Sequence, residues 1–166
     1  LSMVAQDMKS VFIAMPDSIA PTLSQVNKED CIDFLDSNMK AEVTNRFGNP
    51  VEMKALTDDY VQMQTSSAGT MEMKLLPVND SIKVICMVKT VCASACDSEV
   101  HFYTSDWSKK LDAKDFLQFP STDAFYLPVD TLTEETILIQ QKVDMHPMTA
   151  SLSKEDASLT FIYTTP

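Results

Sequence analysis

The sequence predicts a single α+β domain: a long antiparallel β-meander packed on one main N-terminal helix, followed by a C-terminal β-hairpin. Three observations predict this fold class. An early segment has the apolar spacing of a helix, the long central stretch alternates apolar and polar residues, and the end of the chain alternates in the same way around a polar turn. A chain of 166 residues is long enough for one well-cored domain and too short for two.

The helix is predicted over residues 27–42, with Asn27 as its N-cap. Cys31, Phe34 and Leu35 follow at i, i+3 and i+4 spacing, which places them on one side of the helix. We expect this apolar side to pack on the sheet.

The clearest register in the meander is that of a hairpin around residues 93–95. If Cys92 faces Cys96, the pairing sets Lys89 opposite Glu99 and creates no like-charge clash. The other predicted pairs are Val84–Thr104, Cys86–Phe102, Val88–Val100 and Thr90–Ser98 on a face expected to be mostly core, with Ile85–Tyr103 and Met87–His101 on the opposite face.

A second hairpin is predicted around residues 66–70, and a strand over residues 51–57 completes a meander of five strands. The predicted pairs of this hairpin are Val61–Leu75, Met63–Met73 and Thr65–Met71.

The last part of the chain is predicted to contain a short helical turn capped by Asp112, a strand over residues 136–145 and a hairpin. The predicted pairs of that hairpin are Met148–Tyr163, Ala150–Phe161 and Leu152–Leu159.

Composition excludes several function classes. Lysine and arginine number 13 against 24 aspartates and glutamates, so the net charge is −11 and the surface repels the phosphates of nucleic acid. The only glycines are Gly48 and Gly69, too few for a Rossmann fingerprint or a phosphate-binding loop. No stretch approaches the roughly 18 apolar residues of a membrane helix, so membrane insertion is not expected.

Four cysteines allow three fully paired connectivities. Cys92 and Cys96 face each other across a three-residue loop and are the predicted disulfide, whereas Cys31 and Cys86 are predicted to be free and buried. The chain has no C-x-x-C and no histidine beside a cysteine pair, so neither a zinc site nor another metal or cofactor is expected.

The predicted disulfide indicates an oxidising compartment, and the chain is therefore expected to be exported to the periplasm or the cell exterior. Residues 1–6 are interpreted as the remnant of a signal peptide and residues 7–166 as the single domain.

Three ring-bearing side chains, those of His101, Tyr103 and Trp107, share the outward parity of one predicted strand. An exposed row of this kind stacks on a sugar or anchors a protein partner, unless the helix covers it. The leading hypothesis is a non-enzymatic binding or interaction module that contacts an envelope protein or a glycan. The alternative is a hydrolase-like enzyme that uses His101 or His146 with carboxylates from distant strands, and no catalytic residue is assigned.

The order of elements, and the run of residues 80–107 in particular, resembles a family of uncharacterised secreted proteins of Bacteroidales bacteria, known as a domain of unknown function. The resemblance covers nearly the whole chain. It rests on the early helix, on Leu75-Leu76-Pro77, on the Asp97-Ser98 turn and on Phe102, Tyr103 and Trp107 at a strand end. It implies an envelope or extracellular location and transfers no catalytic residue.

Three tripeptides are similar to the O-glycosylation acceptor pattern of exported Bacteroidales proteins. They are Asp17-Ser18-Ile19, Asp80-Ser81-Ile82 and Asp130-Thr131-Leu132. The similarity predicts Ser18, Ser81 and Thr131 as glycan acceptors.

Overall fold

The computed structural model describes residues 6–120 and 147–164, which form two α-helices, a seven-stranded sheet and a two-stranded sheet. The helices are α1 (Met8–Ile13) and α2 (Gln25–Asp36), and a 3-10 turn, η1, spans Ala113–Asp115. The large sheet contains β1 (Ala41–Thr44), β2 (Pro50–Leu56), β3 (Tyr60–Gln64), β4 (Gly69–Pro77), β5 (Lys83–Cys92), β6 (Cys96–Thr104) and β7 (Lys110–Leu111). The C-terminal hairpin contains β8 (Met148–Leu152) and β9 (Leu159–Tyr163). The strand predicted over residues 136–145 lies outside the described residues.

The large sheet is an antiparallel meander, because its spatial order from β1 to β7 is also the order of the chain. The predicted α+β fold class, with its main helix and C-terminal hairpin, is confirmed. Every predicted pair of the β5–β6 hairpin is present, and so is every predicted pair of β8 with β9. Asp112 caps η1 by accepting the backbone N–H of Lys114 at 3.0 Å, as predicted.

The predicted register of β3 with β4 is wrong by two residues. Val61 lies opposite Met73, and Met63 lies opposite Met71. A shift of two residues keeps every side chain on its own face, so the apolar alternation cannot detect it. The turn decides the register instead, since the backbone N–H of Thr65 donates to the Gly69 carbonyl at 2.9 Å.

The main helix begins earlier and ends earlier than predicted. Its N-cap is Ser24, whose hydroxyl accepts the backbone N–H of Asn27 at 3.1 Å, while Asn27 Oδ1 accepts the backbone N–H of Ser24 at 3.0 Å. Asn27 therefore completes a capping box from inside the helix instead of being the cap. The helix ends before Asn38, which has a φ of 56° and so turns the chain out of the helical path.

The structure adds α1, β1 and β7 to the predicted elements. Their six, four and two residues are too few to display a repeating apolar pattern. β2 corresponds to the first strand of the predicted meander. β1 pairs with β2 and so covers its edge.

Both faces of the large sheet are covered. The helix face, which carries Met73, Ile85 and Met87, packs under α1 and α2. The hairpin face, which carries Cys86 and Phe102, packs under β8 and β9. The prediction that the face of Ile85 and Met87 lies away from the core is wrong, since both residues are fully buried beneath the helices.

Polar contacts hold the C-terminal hairpin on the hairpin face. Glu72 accepts the Tyr60 hydroxyl at 2.6 Å with one carboxylate oxygen and the backbone N–H of Leu152 at 3.2 Å with the other. The buried Lys74 ammonium donates to the Lys154 carbonyl at 3.0 Å. Two further contacts join the Met148 N–H to Asp97 Oδ1 at 3.1 Å and the Thr164 hydroxyl to the Cys96 carbonyl at 2.6 Å.

Candidate functional site

Trp107, predicted as part of an exposed row, is buried on the helix face. It is 9% exposed, and its indole N–H donates to the Val11 carbonyl of α1 at 2.8 Å. β6 ends at Thr104, and the turn that follows gives Trp107 a φ of 64°, so the alternation of the strand does not extend to it. The prediction of an exposed row is therefore wrong at Trp107.

Tyr103 and His101 continue from Trp107 along β6 and become more accessible. The ring centroids of Tyr103 and Trp107 are 5.3 Å apart, and Tyr103 packs against the core of the helix face, where burial raises the pKa of its hydroxyl. His101 lies 6.4 Å from Tyr103 between ring centroids, and its side chain is 21% exposed. The three rings therefore form a tilted row that is buried at Trp107 and half-buried at Tyr103 and His101, and this row is not an open, flat platform for a sugar.

Glu99 lies beside His101. The His101 Nε2 lies 3.2 Å from Glu99 Oε2, and the Glu99 side chain is largely exposed. General acid–base catalysis needs a base within hydrogen-bond reach of a bound substrate, usually inside a cleft. No described cavity is lined by His101, and His146 lies outside the described residues. Within residues 6–120 and 147–164, no three histidine, cysteine or acidic side chains converge as a metal site would require.

The cysteines divide into a bonded pair and two buried thiols. The sulfur atoms of Cys92 and Cys96 are 2.00 Å apart and form a disulfide at the tip of the β5–β6 hairpin. Cys31 and Cys86 are free, and burial raises the pKa of the Cys31 thiol to about 11 and that of Cys86 to about 12. At neutral pH both thiols are protonated and poorly nucleophilic.

A cavity of about 550 Å³ on the hairpin face is the feature that the sequence did not predict. Its floor is formed by β4, β5 and β6, and its walls are formed by the segment after η1 on one side and by the C-terminal hairpin on the other. The lining is mainly apolar: Leu76, Pro77, Val78, Val84, Cys86, Phe102, Phe116, Leu117, Leu152, Ala157 and Leu159, with the acidic residue Asp115. We call this cavity the hairpin-face groove.

Two phenylalanines form one wall of the hairpin-face groove. The rings of Phe102 and Phe116 are stacked, with centroids 4.7 Å apart and an angle of 9° between their planes. Phe102 is buried, whereas Phe116 is 40% exposed. A partly exposed aromatic ring fixed on a buried one is a ready contact surface for an apolar ligand.

Three loops bound the hairpin-face groove, and each carries acidic residues. The loops are residues 78–82, 112–117 and 153–158, and each contributes at least one lining residue. Together they hold five carboxylates and two lysine ammonium groups, a formal charge of −3. The acids are Asp80, Asp112, Asp115, Glu155 and Asp156, and the lysines are Lys114 and Lys154. Hydrogen bonds from Ser158 lower the pKa of Asp156, which keeps that carboxylate ionised.

The predicted glycan acceptors lie at exposed turns where the structure describes them. Ser18 and Ser81 are both exposed, and Ser81 follows an Asn79 side chain that caps its turn by accepting backbone N–H groups. Thr131 lies outside the described residues. The modification itself stays a prediction.

Comparison with known proteins places the whole chain in one family. The model described as Protein of unknown function (DUF3256) matches residues 1–166. The chain belongs to this family. A solved structure, of a domain of an uncharacterized protein from Porphyromonas gingivalis W83, is similar to the DUF3256 chain at 30% sequence identity and a TM-score of 0.82, and the match covers 97% of this chain and 82% of that chain. No curated protein matches.

The resemblance to a domain of unknown function is confirmed by the DUF3256 match, and Porphyromonas gingivalis belongs to the Bacteroidales, the order the resemblance named. The secreted location of the family stays a prediction. Among the described residues, neither helix is long and apolar enough to cross a membrane. The hairpin-face groove is the feature of this DUF3256 chain that best fits a binding site, because it is a cavity with a mainly apolar lining.

Proposed function

We propose that the chain is an exported, non-enzymatic binding module that holds an apolar group of a cell-envelope protein in the hairpin-face groove. The observation that carries this proposal is the groove itself, at about 550 Å³ with a mainly apolar lining. Pockets that bind ligands have volumes of roughly 300–1,000 Å³ and are lined mostly by hydrophobic side chains with few polar groups.

The walls of the groove favour binding because they are held in place before any ligand arrives. The hairpin wall is tied to the sheet through Glu72 and Lys74, and the opposite wall is tied through the stacking of Phe116 on Phe102. A site whose walls are already positioned loses less conformational entropy on binding, which leaves more of the interaction energy as affinity.

A protein partner is favoured over a glycan for two reasons. The aromatic ring best suited to stack on a sugar, that of Trp107, is buried beneath α1. The groove offers apolar carbon surface instead, and protein partners supply leucine, phenylalanine and similar side chains that fit such a surface.

The disulfide supports export. Cys92–Cys96 bonds persist in oxidising compartments and are rare in the reducing cytosol. The exposed placement of Ser18 and Ser81 is compatible with modification in the same compartment.

The test is the binding of N-phenyl-1-naphthylamine, a neutral apolar dye whose fluorescence rises in apolar surroundings. The groove is narrowed by Ala157→Trp, because Ala157 is an exposed lining residue whose enlargement leaves the core intact. The matched control is Ala68→Trp, at an exposed turn beyond the opposite end of β4. We expect saturable binding to the unmodified chain and to the control, and affinity at least about tenfold weaker for Ala157→Trp.

Equal affinity for Ala157→Trp and Ala68→Trp would place the dye elsewhere and overturn the groove as the binding site. A complete lack of saturable binding to the unmodified chain would overturn it as well.

A further inference from the structure

We propose that the partner of the hairpin-face groove is a basic protein segment, in which lysine or arginine residues flank the apolar side chain that enters the groove. This inference rests on the proposed function and adds the charge of the partner. It is carried by the distribution of charged residues around the groove.

The acidic residues gather at the end of the sheet where the groove opens. The three loops that bound the groove carry a formal charge of −3. The turns at the opposite end of the same strands, residues 65–68 and 93–95, carry no charged side chain. The acidic residues are therefore concentrated at the end of the sheet where the groove lies and are not spread evenly over the turns of these strands.

The rim carboxylates are placed to meet a ligand while its apolar part is in the groove. Asp115 lines the groove directly, and Glu155 and Asp156 precede the lining residue Ala157. A cleft with apolar, low-dielectric walls concentrates the field of nearby charges, so a cation at its mouth is attracted more strongly than one over open surface. An apolar group flanked by anions would be repelled from the same position.

A ligand that satisfies both features has an apolar core with positive charges on each side of it. In proteins this is a short segment with leucine or phenylalanine between lysines or arginines. The net charge of −11 for the whole chain adds long-range attraction for such a segment and speeds its association at low ionic strength.

The test uses three fluorescein-labelled peptides that share the core Leu-Phe-Leu and differ in their flanks, which are Lys-Lys, Gln-Gln or Glu-Glu on both sides. Binding is measured by fluorescence anisotropy at low salt and at about 300 mM salt. We expect the lysine-flanked peptide to bind at least about tenfold more tightly than the glutamate-flanked one at low salt, and the difference to shrink at high salt because screening weakens exposed charge pairs.

The rim is tested by the double variant Asp115→Asn and Glu155→Gln, which removes two exposed carboxylates without altering the caps formed by Asp112 and Asp156. The matched control is Glu29→Gln with Asp33→Asn, which makes the same charge change on α2. We expect the rim variant to bind the lysine-flanked peptide about fivefold more weakly than the unmodified chain does. The control should lose less than about twofold in affinity for the same peptide.

The outcomes separate this inference from the proposed function. If the three peptides bind equally, or if the rim variant and the control weaken binding equally, the basic partner is overturned while the apolar groove stands. If the dye binds in the groove but none of the three peptides binds, a protein segment is the wrong class of partner. If neither dye nor peptide binds, the proposed function fails together with this inference.

Discussion

The two faces of the large sheet are built from similar residues but closed in different ways. On the helix face, Met63, Met73 and Met87 are fully buried under the helices, and the flexible methionine side chains fill the space between strands and helices. On the hairpin face, Phe102 is equally buried, but the covering hairpin is held by polar contacts from Glu72 and Lys74. The helix face keeps a cavity of about 250 Å³ beside residues 19–23. The hairpin face, where polar contacts anchor the covering hairpin, keeps the hairpin-face groove of about 550 Å³.

Among variants that compare the two faces, Phe12→Ala is expected to cause the largest loss in the free energy of unfolding. Phe12 lies in α1 and is completely buried on the helix face, so its truncation leaves a cavity and lowers the free energy of unfolding by about 3–5 kcal/mol. The matched variant is Phe116→Ala in the groove, for which about 1 kcal/mol is expected because the ring is partly exposed. Urea denaturation measures both, and similar losses would show that the groove wall is as tightly packed as the helix face.

The next largest effect is expected from Glu72→Ala. This change leaves the Tyr60 hydroxyl and the Leu152 N–H without their acceptor, which lowers the free energy of unfolding by about 2 kcal/mol. Hydrogen exchange should become faster at β8 while α2 stays protected, since the loss loosens the hairpin locally. Glu42→Gln, at an exposed ion pair with Lys40, is the control and should change stability by less than about 1 kcal/mol. Uniformly faster exchange across the chain would contradict a local anchor.

A comparable effect is expected when the disulfide is removed by the double variant Cys92→Ser and Cys96→Ser. The bond closes a short loop, so its loss lowers the free energy of unfolding by about 2 kcal/mol. Reduction of the unmodified chain with dithiothreitol should lower its stability by the same amount and leave the variant unchanged. A variant as stable as the oxidised chain would show that the bond does not constrain the unfolded state.

The smallest effect concerns acid stability. Hydrogen bonds from the Ser108 hydroxyl and N–H lower the pKa of Asp106 from its ordinary value of 3.8 to about 2. Because the folded pKa is lower than the unfolded one, this contribution to stability is complete above pH 3.8 and is lost as the pH falls toward about 2. Carbon NMR titration of the Asp106 carboxyl should give the lowered pKa, and Ser108→Ala should raise it. An unchanged pKa in that variant would remove the Ser108 hydroxyl as a cause.

The register of a strand pair could be predicted from the sequence where several local constraints on the pairing agree. The β5–β6 register follows from the cysteine pair, the Lys89–Glu99 pair and the apolar alternation together, and all its pairs are present. The β3–β4 register had only the alternation to define it, and a shift of two residues leaves the alternation unchanged. Trp107 was misplaced because the strand ends at Thr104, and a left-handed residue in a turn has no periodic signature.

The hairpin-face groove was beyond prediction for a different reason. It is assembled from residues far apart in the chain, such as Leu76, Phe116 and Leu159, and in the sequence each of them looks like any other apolar residue of its segment. The one sequence signal was the acidic character of the loops at residues 78–82, 112–117 and 153–158, and nothing in the sequence shows that these loops meet.

The most direct test of the central claim is methyl NMR of the full chain, labelled at leucine, valine and methionine methyl groups and titrated with the lysine-flanked peptide. We predict that the shifts are confined to the hairpin face, at Leu76, Leu117 and Leu159, while Met63 and Met87 on the helix face do not move. Shifts centred on the helix-face methionines, or none on either face, would contradict the assignment of the hairpin-face groove as the binding site.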